Sequence, residues 1–593
     1  MKSADNPRGP PAKVAAASQR GGRDLIWVLA ATLAVCTVLL AWSIGTAPVL
    51  GDEAYHIRRA IVYFEAPWSN PRPACDPAFP ATGPCAIRYW DAALWPMGLA
   101  MVWKSLGAPS LPAAQVYHLG YMLMLGVFSF LAGRQLYGRA GGWWTWALSM
   151  TMPINVLLGT LFYLEVPEAA MAAMAVYCLL RRRAAWFGVA LAGLFYLKMP
   201  IAAVLAPPLV LASLLMLGDT WRRGAARTAL ALAVMLALLA PDMLWRYEQF
   251  GLPIMFRETF PQYQAHVLAS LPPLPPLQRS AVSLSLGDPL VVVKTFGVTG
   301  VASLLASIVW AVWLVGRTAA LLLRRAWSGG PVAALRDLPQ GIAPEVLVAA
   351  VPLLFYIVVF IVLLRFAYDV RYFHGSVLFC TLLAGGLLAR AAPFAYQGRR
   401  RWLVRGAAVV LILGMIGQLA TAPAAIRQRR QLDPAIAAGF TWIKENVPPG
   451  SIILYPEYNI VPMTGRPMAW AACLPRYLFN VDEAPRMHFL CHIDIRYIAI
   501  HPTRFIERAD PTTEPMGIPL EWARSLRTLP YMTQVYPERA CEVGNPNFVV
   551  YRIDRDKIPP EWLEKPLYKT DPAAGPPGAP PAASSEENRG DSE

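Results

Sequence analysis

The feature that most constrains this chain is a series of apolar runs long enough to cross a lipid bilayer. "LIWVLAATLAVCTVLLAWSIG", beginning at residue 25, carries no charge over its whole length. A hydrocarbon layer of ~30 Å needs about 20 apolar residues as helix. No water is available there to bond the backbone, so such a run must satisfy its own N–H and C=O groups as a helix. Comparable windows recur along most of the 593 residues. Composition agrees: 56% of residues are hydrophobic and 15% charged, with a mean hydropathy of +0.39. Soluble domains carry roughly 25% charged residues. These numbers exclude an ordinary soluble fold and define an α-helical polytopic membrane protein.

The net charge of +15 would point to nucleic acid in a soluble chain. Here the basic residues gather in short loops between apolar runs, "GRQLYGR", "RRR", "WRRGAAR", "LLLRRAW" and "GRRRWLVR". That is the pattern of cytoplasmic loops. The charge therefore reports orientation, and no nucleic-acid partner is expected.

Hydropathy and loop charge together predict about 11 transmembrane helices. They fall at about 25–47, 113–133, 141–159, 165–180, 185–198, 200–217, 228–244, 298–321, 345–365 and 373–391, with the last ending near 423. With residues 1–23 as a disordered, cytoplasmic N-terminus, every basic cluster falls on one side. An odd number of spans puts the C-terminus on the other. The first outer loop is 48–112. In it, "DEAYHIRRAIVYF" sets Ile57, Ile61 and Phe64 opposite Arg58, Arg59 and Glu65, the pattern of a helix lying flat in the interface. "YWDAALWPMGLAMVWKSLG" is too short to span and reads as a second interfacial or re-entrant helix. A long, charge-balanced outer loop covers 245–297.

From residue 431 the pattern changes. "DPAIAAGFTWIKENVPPGSIILY" reads as a capped helix, a turn and a strand; "IRYIAI" and "NFVVYRI" are further strands. Residues 431–565 are expected to form an extracytoplasmic α/β domain, and 566–593, rich in Pro and Ala, a disordered tail. Of the eight cysteines, Cys75 and Cys85 share the first outer loop and form the disulfide candidate of an oxidising compartment. "MHFLCHID" holds His488, Cys491 and His492 at a spacing that matches no standard zinc signature.

Polar residues recur at one level, the outer ends of helices. Asp52 and Glu53 follow the first span. Glu165 and Glu168 sit at the turn before the fourth, Lys198 between the fifth and sixth, and Arg371, Tyr372 and His374 before the tenth. Asp52 also suits a plain helix cap, and Lys198 and Arg371 suit interfacial snorkelling. Yet charges at membrane depth are costly unless paired or used, and acids and bases from several hairpins converge here. An acid pair serves as general base; a Lys and an Arg hold a phosphate.

These residues carry a resemblance. "GDEAYHIRRA" after the first span is similar to the Asp-Glu motif of the GT-C superfamily of integral-membrane glycosyltransferases, the group of lipid A aminoarabinose transferases, rhizobial galacturonosyltransferases and protein O-mannosyltransferases. "YLEVPEAAM" is similar to that group's acid-x-Pro segment, "LFYLKMP" to its Lys-containing segment and "DVRYFHG" to its late Arg-Tyr motif. The resemblance covers about 40–430 and implies a GT-C transmembrane domain over 24–430. It departs from the family where "RYWDAALWP" replaces a Pro-rich motif.

The resemblance implies an inverting glycosyltransferase. It would move a sugar from a polyprenyl-phosphate donor to a lipid, glycan or protein acceptor on the outer face of the bacterial cytoplasmic (inner) membrane. Asp52 is the expected general base, with Glu53 and Glu165 positioning it or sharing a divalent cation. Lys198 and Arg371, with Arg246 and Arg257 of the long outer loop, would hold the donor phosphate. His56, Tyr372 and His374 are further candidates. Three other readings compete, one of them a non-catalytic scaffold that binds lipid-linked sugar. A lipid or sugar transporter would want charges near mid-membrane and internal repeats. Another lipid-linked polymerase or ligase would rest on late arginine and histidine loops, without an acid pair after the first span.

Overall fold

The computed structural model describes residues 12–44, 51–66, 94–250, 289–329, 342–359, 373–395, 401–457, 459–466, 468–470, 483–492, 494–502, 505–506, 518–543 and 547–563. The chain divides into two compact units. One holds residues Met1–Ala60, Ala92–Leu238 and Ala281–Gln431; the other holds Ile61–Asp91, Leu239–Ser280 and Leu432–Glu593.

The first unit is helical. Its elements are α1 (Ala12–Ser43), the start of α2 (Gly51–Glu65), α3 (Leu94–Leu106), α4 (Leu111–Thr151), α5 (Pro153–Thr160), α6 (Glu165–Leu180), α7 (Ala184–Leu197), α8 (Met199–Met216) and most of α9 (Trp221–Phe250). They continue with α10 (Pro289–Gly329), a π turn at Val346–Ala350 running into α11 (Val351–Tyr356), α12 (His374–Ala391) and α13 (Arg401–Arg430).

Straight, α4 would be ~62 Å long, about twice the hydrocarbon thickness. It is instead a hairpin. Gly138, at φ 76° and ψ −169°, adopts a backbone that side-chain-bearing residues avoid. Phe130 and Trp143, which a straight helix would hold ~20 Å apart, meet with ring centroids 5.2 Å apart. The basic "GRQLYGR" stretch is thus the turn between two spans. Gly297, at φ 69° and ψ 165°, likewise breaks α10 at the point where the sequence pattern starts a span.

Among the described residues, seven helices are long and apolar enough to cross a membrane, or eight if the bent pair α5 and α6 counts as one. Each predicted span has a helical counterpart. The lower number arises because the two arms of the α4 hairpin count once and because Ala184–Leu197 and Val346–Val359 are shorter than a full span. Val298, Leu305 and Val309 of α10 and Val410, Leu413 and Ile416 of α13 point outward. In water such a surface would drive association; in a bilayer it faces solvent of its own kind.

Charged groups meet at the ends of these helices. Asp24, at the start of the apolar part of α1, bonds Arg139 at 2.9 Å and lies 3.6 Å from Arg134, on either side of the α4 turn. Arg390 near the end of α12 bonds Glu345 at 2.5 Å and lies over the rings of Tyr137 and Trp310, 5.2 and 5.3 Å from their centroids. His374 opens α12 sixteen residues earlier, ~24 Å away along the helix. That distance is close to the thickness of the hydrocarbon core.

The second unit carries a five-stranded sheet. Its strands are β1 (Ile452–Tyr455), β2 (Met468–Trp470), β3 (Ile495–Ile500), β6 (Met532–Tyr536) and β7 (Val549–Ile553), while β4 (Phe505–Ile506) pairs with β5 (Ile518–Pro519) apart from it. The order is β2-β1-β3-β7-β6; β1 runs parallel to β2 and β3, and β7 antiparallel to β3 and β6. The preceding helix, α14 (Pro434–Asn446), is capped by Asp433, whose side chain accepts from the Ala435 N–H at 2.8 Å. Leu454, Ile498, Tyr551, Leu490 and Trp522 pack in the core of this unit.

Candidate active site

The candidate site gathers at helix ends, among them the α5–α6 and α7–α8 breaks. α2 brings the acids that come after the first span. Glu53 is fully buried and its Oε1 accepts from the Phe162 N–H at 3.2 Å. Asp52 lies in the first turn of α2, and its side chain is outside the described residues. His56 is buried between Tyr55 and Trp95, with ring centroids 5.5 and 6.1 Å away.

The polar residues of α2 differ in exposure. Arg58 and Arg59 are 3% and 7% exposed, and the Arg59 guanidinium lies 5.6 Å from the centroid of the Tyr55 ring. Glu65, set on the same side by the sequence pattern, is exposed. Alternating polarity showed an amphipathic helix, but it did not distinguish a polar face turned to water from one turned to a polar interior.

Phe162 lies in the break between α5 and α6, which are bent by 116°. The break starts α6 at Glu165, with Glu168 one turn on; both are buried. Acids in a first turn face the positive end of the helix. Glu165 Oε1 is 3.2 Å from Lys198 Nζ, their side chains 2% and 16% exposed. Lys198 is an extended residue between α7 and α8, at φ −160° and ψ 99°. It therefore ends α7, whose C-terminus favours a cation, and also caps α8, whose N-terminus does not. The ion pair joins two helix breaks.

His374, the first residue of α12, is buried, and its Nε2 is 2.6 Å from Asn155 Oδ1 of α5. Asn155 Nδ2 donates to the Ser149 carbonyl at 2.7 Å. That bond fixes the amide, so Oδ1 accepts and His374 Nε2 donates. His374 lies within electrostatic reach of both Glu165 and Lys198. Five described residues, Glu53, Glu165, Lys198, His374 and Asn155, thus belong to one group of helix ends.

Other expected residues lie outside the described part of the structure. Arg246 is in α9, its side chain outside the described residues; Arg257, Arg371, Tyr372, Cys75, Cys85 and Cys473 lie wholly outside them. Among the described residues no three His, Cys, Asp or Glu side chains gather as metal ligands. Glu165 is engaged by Lys198, and Glu53 by a backbone N–H. In the second unit, His488 Nδ1 bonds the Trp562 carbonyl, and Cys491 and Cys541 are free thiols. Burial pushes the Cys491 thiol up.

Sequence reasoning passed over Asn155, His118 and Trp95. His118 lies in the first half of α4 and is 1% exposed; its Nδ1 accepts from Trp95 Nε1 at 3.1 Å and its Nε2 is 3.0 Å from the Leu158 carbonyl. A signal was present. Polar residues inside the apolar runs "QVYHLGYMLML" and "MPINVLLG" are costly there and mark used positions.

The bundle, its broken helices and the small sheet define a polytopic helical membrane protein with a small α/β unit, and its fold is similar to that of solved membrane enzymes. The oligosaccharyltransferase AglB of Archaeoglobus fulgidus, in complex with an inhibitory peptide and a dolichol-phosphate, is similar at a TM-score of 0.50. The two are 12% identical over 80% of this chain and 69% of that one. A second structure of the same archaeal enzyme, with zinc and sulfate, gives a TM-score of 0.50 at 14% identity over 80% and 67%. ArnT of Cupriavidus metallidurans, bound to undecaprenyl phosphate, gives 0.47 at 12% identity over 89% and 97%. No family model and no curated protein matches the chain. At these identities the likeness shows the fold.

Proposed function

We propose that this protein is an inverting glycosyltransferase that moves a sugar from a polyprenyl-phosphate donor to an envelope acceptor on the outer face of the bacterial cytoplasmic membrane. The observation that carries the reading is the buried Glu165–Lys198 ion pair. It sits at the end of a GT-C bundle that also holds the acid-bearing helix α2. The archaeal neighbour's complex with a dolichol-phosphate supports a lipid phosphate as the leaving group.

In this reading the acceptor hydroxyl gives its proton to Asp52 and attacks the anomeric carbon. The bond to the lipid phosphate breaks, and its electron pair leaves with the phosphate. Negative charge grows on that phosphate in the transition state, and preplaced cations lower the barrier. Lys198 has three N–H donors. Glu165 occupies one and aims the ammonium at the phosphate oxygens, with Arg371, Arg246 and Arg257 as further donors. Attack opposite the leaving group inverts the sugar. The N-terminus is then cytoplasmic, and the 431–565 domain is periplasmic.

The test is sugar transfer by purified protein in lipid with a panel of labelled polyprenyl-phosphate sugars, wild type beside Asp52→Asn. Transfer that collapses in the variant while donor binding persists supports the reading. Absence of binding to every polyprenyl-phosphate sugar, with Asp52→Asn changing only stability, overturns it.

A further inference from the structure

The break between α5 and α6 is made by two side chains that divide one helical hydrogen bond between them. The last regular bond of α5 runs from the Leu161 N–H to the Leu157 carbonyl, at 3.1 Å. In a continuing helix the next would join the Phe162 N–H to the Leu158 carbonyl. Here the Phe162 N–H goes to Glu53 Oε1 at 3.2 Å, and the Leu158 carbonyl accepts from His118 Nε2 at 3.0 Å. Both backbone groups are buried, and buried backbone groups must be paired. The acid takes the donor and the histidine takes the acceptor.

The histidine has a defined tautomer. An indole N–H only donates, so the 3.1 Å bond from Trp95 Nε1 makes His118 Nδ1 the acceptor and leaves the proton on Nε2, toward Leu158. Trp95 and His118 also flank the Phe162 ring, with centroids 5.8 and 6.0 Å away. Trp95 comes from α3, so the first outer loop takes part in the break.

We propose that His118 is a positioning residue for the transfer reaction. With Glu53 it holds the α5–α6 break open, and so fixes the start of α6, where Glu165 meets Lys198. It acts through the backbone and touches no reacting atom. Trp95 supports it by setting its tautomer. Without the histidine, the Leu158 carbonyl recaptures the Phe162 N–H, Glu53 loses its donor, and each residue added to α5 rotates the start of α6 by about 100°. The proposal rests on the transferase reading for its kinetic consequence but not for its structural one.

The experiment uses the full-length protein in lipid, comparing wild type, His118→Leu, His118→Gln and Leu125→Ala. Leu125 is buried on the same helix, away from the break. Glutamine keeps an N–H donor and an acceptor. Expected are a kcat drop of roughly 30-fold or more in His118→Leu with donor KM within about threefold, and near-wild-type kcat in His118→Gln and Leu125→Ala. A second arm is a thermal-unfolding cycle of His118→Leu with Glu53→Leu. The double variant should melt close to the lower single, because the two act on one bond. Additive losses in that cycle, or a His118→Leu kcat no lower than that of Leu125→Ala, overturn the proposal. If wild type transfers no sugar, the transferase reading fails and the thermal cycle still decides the role of His118.

Discussion

Replacing Lys198 by methionine tests the ion pair on which the candidate site rests. Methionine keeps much of the side chain's length and apolar stem but removes the charge. Glu165 is left with a side chain only 2% exposed. Breaking a buried pair by removing one partner costs about 3–5 kcal/mol. Two features reduce that here. Glu165 lies in the first turn of α6, where the helix end offsets about 0.5–1 kcal/mol. The Lys198 side chain is 16% exposed, so some water reaches the pair. The expected loss is about 2–3 kcal/mol. Glu165→Gln should cost only about 1 kcal/mol, because Lys198 can turn its ammonium toward water. With both changes no charge is stranded, and the double variant should sit within about 1 kcal/mol of Glu165→Gln alone. The assay is denaturant or thermal unfolding of the purified full-length protein in lipid or detergent, monitored by tryptophan fluorescence. A coupling of about 2 kcal/mol is expected from the cycle. If the two losses simply add, within about 0.5 kcal/mol, the charges do not depend on one another and the electrostatic reasoning falls.

Three further outcomes rest on local geometry. Asn155→Leu removes both the Ser149 and the His374 hydrogen bonds, strands a buried imidazole, and should lower stability by roughly 2–4 kcal/mol in the same unfolding assay; a loss under about 0.5 kcal/mol would contradict it. Arg390→Lys keeps the charge beside Glu345 but loses the planar group that lies over Tyr137 and Trp310, and a fall of about 1 kcal/mol is expected. In the second unit, burial acts to raise the Asp554 carboxyl, but hydrogen bonds from Thr533, Lys557 and Arg552 outweigh it and hold the carboxyl at about 2. A carboxyl held below its unfolded value of about 3.9 stabilises above that pH, and the contribution is lost as pH falls toward about 2. Hydrogen-exchange protection across 531–557 in the full chain should therefore weaken over that window in wild type and change less in Asp554→Asn.

The sequence by itself determined the class of fold. Runs such as 25–45 leave the backbone no alternative to helix in a bilayer, and loop arginines set which ends lie together. The placing of Asp24 with Arg134 and Arg139 agrees with the second point. The α14 cap at Asp433 and the strands of the small sheet were also legible, because caps and strand periodicity are local. So were Glu53, Glu165, Lys198 and His374 as residues worth watching, since a charge or an imidazole at the end of an apolar run is conspicuous.

The tertiary structure decided which of them meet. That Lys198 pairs with Glu165, that Arg58 and Arg59 turn inward, and that Asn155 holds His374 depend on how helices far apart in sequence pack. No periodicity encodes that. The helix break shows the reason most plainly. Residues 153–180 read as helix, a short interruption and helix again, but the interruption is held open by Glu53 and His118, 109 and 40 residues from the backbone groups they bond. Hydrogen bonds are satisfied wherever a partner lies in space, and local sequence records only the partners within a turn or two.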